Sequence, residues 1–139
     1  VKAQNILEKA KNASCGNRIK LENWSDKDGV GNLLKKTSIL VFPSILPETL
    51  GIIGLEAMSY GIPVIGSNIG GVSDWLDDAV TGYLCQPKSS NEIASRAATL
   101  LADNELMIDM GRAGQESIRR KYLPEIHLEK LEEVYASCL

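Results

Sequence analysis

Hydrophobic positions along the chain switch repeatedly between a helical and an extended period. Ala3, Ile6, Leu7 and Ala10 recur at helical spacing among Lys2, Glu8, Lys9 and Lys11, which predicts an amphipathic helix over 2–13 stopped by Gly16-Asn17. Ile19 to Asn23 alternates apolar and polar as a short strand, followed by a polar loop over 25–29 and a short helix near Asn32 to Lys36. Ser38 to Ser44, reading SILVFPS, is continuously apolar over four residues, the pattern of a parallel strand covered on both faces, and Pro43 marks its end. A helix near Ile52 to Tyr60 comes next, closed by Gly61 as a left-handed cap, and Pro63 opens the strand PVIGS. Gly70-Gly71 and the short segment Val72 to Leu76 lead through Thr81-Gly82 to a strand at Tyr83 to Gln86.

Three helices complete the pattern. The first has Ser89 and Glu92 at capping-box spacing ahead of Ile93, Ala97, Leu100 and Leu101. The second runs from about Asn104 to Tyr122 with Leu106, Met110 and Ala113 inward, and the third starts near Pro124 and presents Leu128, Leu131 and Tyr135. Strands separated by helices predict an α/β, Rossmann-like, doubly wound and mainly parallel sheet with helices on both faces. In such sheets ligands bind at the carboxyl ends of the strands.

The 139 residues, 44% hydrophobic and 24% charged, suit one globular domain, with no repeat, low-complexity tract or linker. A net charge of −3 gives no reason to expect nucleic acid or an anionic membrane as the main partner, so any phosphate contact must come from local geometry. Cys15, Cys85 and Cys138 are far apart and lack CxxC spacing, which suggests neither a zinc site nor a disulfide framework and fits reduced thiols in the cytosol. No metal site is expected. Runs such as Ile39 to Phe42 are too short to span a bilayer.

The segment Pro43 to Gly82 carries the chemistry. Glu48 lies in the loop leaving the SILVF strand and Glu56 eight residues later on the next helix, so both can approach a pocket at the strand's carboxyl end. Thr49, Leu50, Gly51 and Ile52 straddle the start of that helix, where unpaired amides and the positive end of the dipole favour an anion such as a diphosphate. Gly54, inside the first turn, disfavours the helix by roughly 1 kcal/mol relative to Ala, so close packing or ligand approach must account for it. Gly70-Gly71 supplies a second side-chain-free turn that can lay its amides beside the same anion, with Asp74 three residues on. Carboxylates suit sugar hydroxyls because they accept several directional, charge-assisted hydrogen bonds.

The ordered series Pro43-Ser44, Glu48, Gly51, Glu56-Ala57-Met58, Gly61, Pro63-Val64, Gly70-Gly71, Asp74 and Thr81-Gly82 resembles the C-terminal domain of the retaining family 4 glycosyltransferases, which have the two-domain GT-B architecture. The resemblance implies an enzyme that transfers a sugar from a nucleotide-diphosphate donor, UDP- or GDP-linked, to a saccharide or lipid-linked acceptor with retention. It makes Glu48 the catalytic and donor-sugar residue. It assigns the sugar and phosphates to Thr49, Leu50, Gly51, Ile52, Gly70 and Gly71, the ribose to Glu56, and places Asn23 and Trp24 near the nucleobase. The family has no agreed protein nucleophile, so catalysis rests on stabilising the departing diphosphate.

Leu50, Ser59 and Asp74 depart mildly from the commonest family residues, and Asn23 replaces a usual glycine, which bears on base identity. The family's C-domain begins with two further strands and an Arg and Lys that neutralise the diphosphate. The resemblance therefore implies that residues 1–139 are a partial donor-binding domain, inactive alone, with unpaired sheet edges that invite self-association or a completing partner. The resemblance also implies polysaccharide biosynthesis and a cytoplasmic enzyme that can be peripheral at the inner membrane face. Two other functions fit less closely: a non-catalytic nucleotide-sugar module and a GT-B nucleotide-sugar epimerase. His127 and the run Arg119-Arg120-Lys121 read as solvated helix positions, and Cys85 as strand packing.

Overall fold

The computed structural model describes Asn5, Glu8, Lys9, residues 18–22 and residues 26–138. The chain forms two compact units, Val1–Gly31 and Asn32–Leu139. In the first, Asn5, Glu8 and Lys9 are helical and exposed, as the periodicity predicts at those positions. The expected stop at Gly16-Asn17 lies outside the described residues.

The expected strand at 19–23 is not formed by residues 19–22, which pair with no described strand. Ile19 and Leu21 are 43% and 56% exposed, so the alternation that suggests a strand buries neither apolar side chain. A strand needs a neighbouring ladder, and period alone does not supply one. Helix α1 (Lys27–Leu34) starts five residues earlier than the sequence suggests. Asp26 caps it, its Oδ1 accepting from the Gly29 amide at 2.9 Å, so residues that read as a polar loop are a cap and first turn.

The second unit is built on β1 (Leu40–Phe42), β2 (Val64–Ser67) and β3 (Gly82–Cys85), a parallel sheet in the order β1-β2-β3. Helix α2 (Ile52–Ser59) links β1 to β2, and a short 3-10 turn (Gly70–Asp74) lies between β2 and β3. Helices α3 (Ser90–Ala102), α4 (Asn104–Lys121) and α5 (Pro124–Ser137) complete the chain order. The register aligns Val41 with Ile65 and Ile65 with Tyr83, and Ser67 with Cys85, so these side chains share one face. On that face Ile65, Tyr83 and Cys85 pack with Leu100 of α3 and Met110 of α4, supported by Ile93, Ala97 and Leu106. Leu101, expected beside Leu100, is 69% exposed.

The other face carries Phe42 and Gly66, covered by Val72 of the 3-10 turn and by Trp75 and Leu76 just beyond it. Both faces are therefore covered at β2 and β3, in the α/β arrangement the pattern predicts, whereas Val41 of the edge strand β1 is 42% exposed, so the expected cover on both faces is incomplete there. Helix α2 ends in a Schellman motif. Gly61, at φ 73°, donates to the Met58 carbonyl at 2.9 Å, and Ile62 donates to Ala57 at 3.1 Å. One helix start differs from expectation in detail. Ser89 makes no side-chain cap, and Glu92 Oε2 accepts from the Gln86 amide at 2.8 Å, while α4 is capped by Asp103 accepting from Leu106. Helix α5 buries no residue, and Leu128 and Tyr135 of its apolar stripe are exposed.

Candidate functional site

The loop leaving β1, the start of α2 and the turn after β2 all lie at the carboxyl ends of the strands. Backbone contact joins the first of these to the third. The Gly71 amide donates to the Glu48 carbonyl at 2.8 Å. A Cβ on Gly70 would sit 2.7 Å from the Glu48 amide nitrogen, and one on Gly71 would collide with the Thr49 carbonyl oxygen. Gly70 also has φ 59°, a left-handed conformation that strains any other residue type. The two glycines are therefore a seat for the Glu48-Thr49 segment.

This corrects one expectation: Gly71 cannot offer its amide to an anion, since the Glu48 carbonyl already accepts it. The Glu48 side chain is itself oriented. Ser44 Oγ donates to Glu48 Oε1 at 2.9 Å, bracing the half-buried carboxylate across the loop.

Gly51 stands immediately before α2 at φ 73° and ψ 58°. A Cβ there would lie 3.0 Å from Phe42 Cζ. The left-handed residue turns the chain into the helix without a side-chain cap, and the Gly54 amide closes back on the Gly51 carbonyl at 2.9 Å. Among the described residues no acceptor takes the amide of Leu50, Gly51 or Ile52. Leu50 and Ile52 are exposed and Gly51 half-buried, so the array opens outward at the positive end of the helix dipole. Gly54 is accounted for by packing, because the Trp75 ring occupies the space its Cβ would need.

Glu56 is one turn further along α2 and shares a helical face with Ile52. It is half-buried, and its carboxylate makes no hydrogen bond or ion pair among the described residues. Asp74 closes the 3-10 turn and is exposed, with Tyr122 near it. Burial first, and then the Asp74 and Asp77 carboxylates, push the Tyr122 hydroxyl above its ordinary pKa. His127 and Arg119-Arg120-Lys121 are exposed helix positions and Cys85 is buried, as the sequence suggests. Asn23 and Trp24, the nucleobase candidates, lie outside the described residues, as does Cys15.

The structure thus brings Glu48, Thr49, Gly70 and Gly71 together through backbone contact, and it sets Leu50, Gly51, Ile52 and Glu56 at the adjoining helix start. It does not enclose them. A cavity of about 210 Å3 lies instead at the amino ends of the strands, between Lys35, Ser38, Tyr60, Pro63 and Ile108. Sequence reasoning passed over three contributors: Ser44, which orients Glu48, and Phe42 and Trp75, which underlie Gly51 and Gly54. A serine four residues before an acidic one, and a glycine inside a helix with a tryptophan further along the chain, were the available signals. No described helix is long and apolar enough to cross a membrane.

Three comparisons bear on this geometry. The family model for glycosyl transferases group 1 matches residues 2–117. The N-acetyl-alpha-D-glucosaminyl L-malate synthase of Bacillus anthracis is 31% identical over 134 residues, covering 96% of this chain and 34% of that protein. The chain thus spans about a third of that relative's length. Among solved structures, Anabaena HepE in complex with UDP superposes with a TM-score of 0.86 at 21% identity, over 96% of this chain and 36% of that one.

Proposed function

The chain belongs to the glycosyl transferases group 1 family, and we propose that it is the donor-binding domain of a retaining, two-domain hexosyltransferase of the GT-B type. The donor is a nucleotide-diphosphate sugar, UDP- or GDP-linked, and the acceptor is a saccharide or a lipid-linked saccharide held by a further domain. One observation carries the reading: a left-handed glycine opens α2 with three outward amides, beside a carboxylate loop seated on a glycine pair. UDP bound in the Anabaena structural neighbour supports a nucleoside diphosphate as the anion.

In this reading the Leu50, Gly51 and Ile52 amides and the α2 dipole stabilise the diphosphate as the glycosidic bond breaks. Fixed donors aimed at developing negative charge need no reorganisation at that moment. Glu48, held by Ser44, accepts hydroxyls of the donor sugar and fixes the anomeric carbon where the acceptor can approach on the face that the diphosphate leaves. It is the residue of this chain assigned to catalysis. Glu56, with no partner of its own, accepts the ribose hydroxyls. The pair Gly70-Gly71 acts by holding the Glu48 loop at the correct height, and Gly70 borders the phosphates.

Because the acceptor is held elsewhere, this domain alone binds donor without transferring sugar. Among the described residues β1 has no strand on its outer edge, which gives the chain a route to self-association. The parent enzyme works in polysaccharide biosynthesis in the cytoplasm, at the inner membrane face when its acceptor is lipid-linked. The test titrates uridine, guanosine and adenosine diphosphate sugars against the full-length enzyme and its Glu56→Ala variant. One base series should bind and turn over, and the substitution should weaken it by about 10- to 100-fold, the loss of a charge-assisted hydrogen-bond pair. Unchanged affinity for every donor would remove the ribose assignment, and binding without transfer or hydrolysis would turn the reading to a non-catalytic module.

A further inference from the structure

The donor helix start stands on two aromatic side chains outside the motif. Trp75 is fully buried. An ideal Cβ on Gly54 would lie 2.8 Å from its Cζ2 and 2.9 Å from its Cζ3, and one on Gly51 would lie 3.6 Å from Cζ2. The ring also meets Phe42 edge-on, with centroids 6.4 Å apart at 61°. Phe42 ends β1 and presses on Gly51 from the strand side. Thus the left-handed turn that aims the Leu50, Gly51 and Ile52 amides rests on Phe42 and Trp75, and the first turn of α2 lies against the indole through Gly54.

We infer that Trp75 and Gly54 are a matched pair that positions the donor-phosphate amides, Trp75 acting as a positioning residue with no contact to the donor. The inference rests on the proposed function of the helix start. The match is one of volume: the tryptophan fills space that any side chain at position 54 would otherwise take. Shape is what the indole contributes, since its Nε1 has no hydrogen-bond partner among the described residues. Trp75 comes directly after Asp74, at the end of the 3-10 turn that opens with Gly70-Gly71. One short segment therefore supports both halves of the site, seating Glu48 at its beginning and the α2 start at its end. A change in the indole would tilt the amides relative to Glu48, and displacements of about 1 Å at a reacting centre lower rates by about 100-fold.

The experiment is a rescue cycle in the full-length enzyme, with donor KM, kcat and thermal midpoint measured for Trp75→Leu, Gly54→Ala, the double variant and Trp75→Phe. Each of Trp75→Leu and Gly54→Ala should raise donor KM or lower kcat/KM for donor by about tenfold or more, since one empties the space and the other overfills it. The double variant, with the added methyl group filling space that the smaller leucine vacates, should return to within about threefold of wild type, and so should Trp75→Phe, which keeps a ring under Gly54. Additive losses in the double variant overturn the pairing. Lowered thermal midpoints with unchanged donor KM and kcat in all folded variants overturn the positioning role and leave Trp75 a core residue only. Should a single variant fail to fold, recovery of donor kinetics in the double variant supports the pair, and its absence in a folded double variant overturns it. A wild-type enzyme that binds none of the donor sugars would remove the functional reading itself, which the wild-type titration reports separately from the cycle.

Discussion

The two ends of the sheet use the same device for opposite purposes. At the amino ends, Gly111 of α4 meets the Gly61 backbone so closely that a Cβ would lie 2.9 Å from the Gly61 carbonyl carbon, and Gly114 packs on Met58. There the close approach buries Met58, Ile62 and Pro63 and locks α4 across the end of α2. At the carboxyl ends, Gly70 and Gly71 approach the Glu48-Thr49 backbone just as closely, yet Thr49, Leu50 and Ile52 remain exposed and the helix-start amides remain without described acceptors. Glycine contact at one end excludes water from a packed crossing. At the other it holds a loop rigid while leaving its polar groups outward, which preorganised binding requires.

Substitution at each end should separate the two purposes. Gly71→Ala should give the largest effect, a loss of donor affinity of about 100-fold, because the added methyl group collides with the Thr49 carbonyl and lifts the Glu48 loop. Stability should fall less, since the loop is largely solvated, and calorimetric donor titration beside thermal unfolding would tell the two apart. Gly111→Ala should do the reverse, destabilising the fold by about 1–3 kcal/mol through overpacking against backbone that cannot yield, with donor KM unchanged in the folded protein. A Gly111→Ala enzyme with weakened donor binding at full stability would break the contrast.

The smallest effect concerns Tyr122, which faces the carboxyl-end turn through Asp74 and Asp77. Its pKa is raised above 10.0 in the folded chain, so the folded state holds the phenolic proton more tightly than the unfolded one. That stabilisation is present below pH 10 and is lost as pH rises through the folded value. Tyr122→Phe should flatten the fall in stability above about pH 10 and change little at neutral pH, as denaturant midpoints measured across that range would report.

The sequence made β1, β2 and the helix between them legible to a useful degree because their signals are local. Gly61 ahead of Pro63 marks the end of α2, and the Schellman bonds of Gly61 and Ile62 are there. The continuous apolar runs place β1 and β2, and the spacing of Glu48, Gly51 and Glu56 places a strand exit and a helix start at one end of the sheet. What stayed hidden depends on groups distant in the chain. Residues 19–22 alternate like a strand but have no described ladder partner, and Glu92 turns from Ser89 to the Gln86 amide. The fate of the Gly71 amide and the reason for Gly54 depend on Glu48 and Trp75, which lie 23 and 21 residues away and are brought close only by the tertiary fold. Hydrogen-bond allocation and side-chain volume are settled by such approaches, and no periodicity encodes them.

Hydrogen–deuterium exchange of the full-length enzyme, with and without the nucleoside diphosphate of its donor, tests the site most directly. Ligand should slow exchange at the Leu50, Gly51 and Ile52 amides and leave residues 35–38 and 60–62 around the opposite cavity unchanged. Protection confined to that cavity, with the helix-start amides exchanging as freely as before, would contradict a donor site at the start of α2.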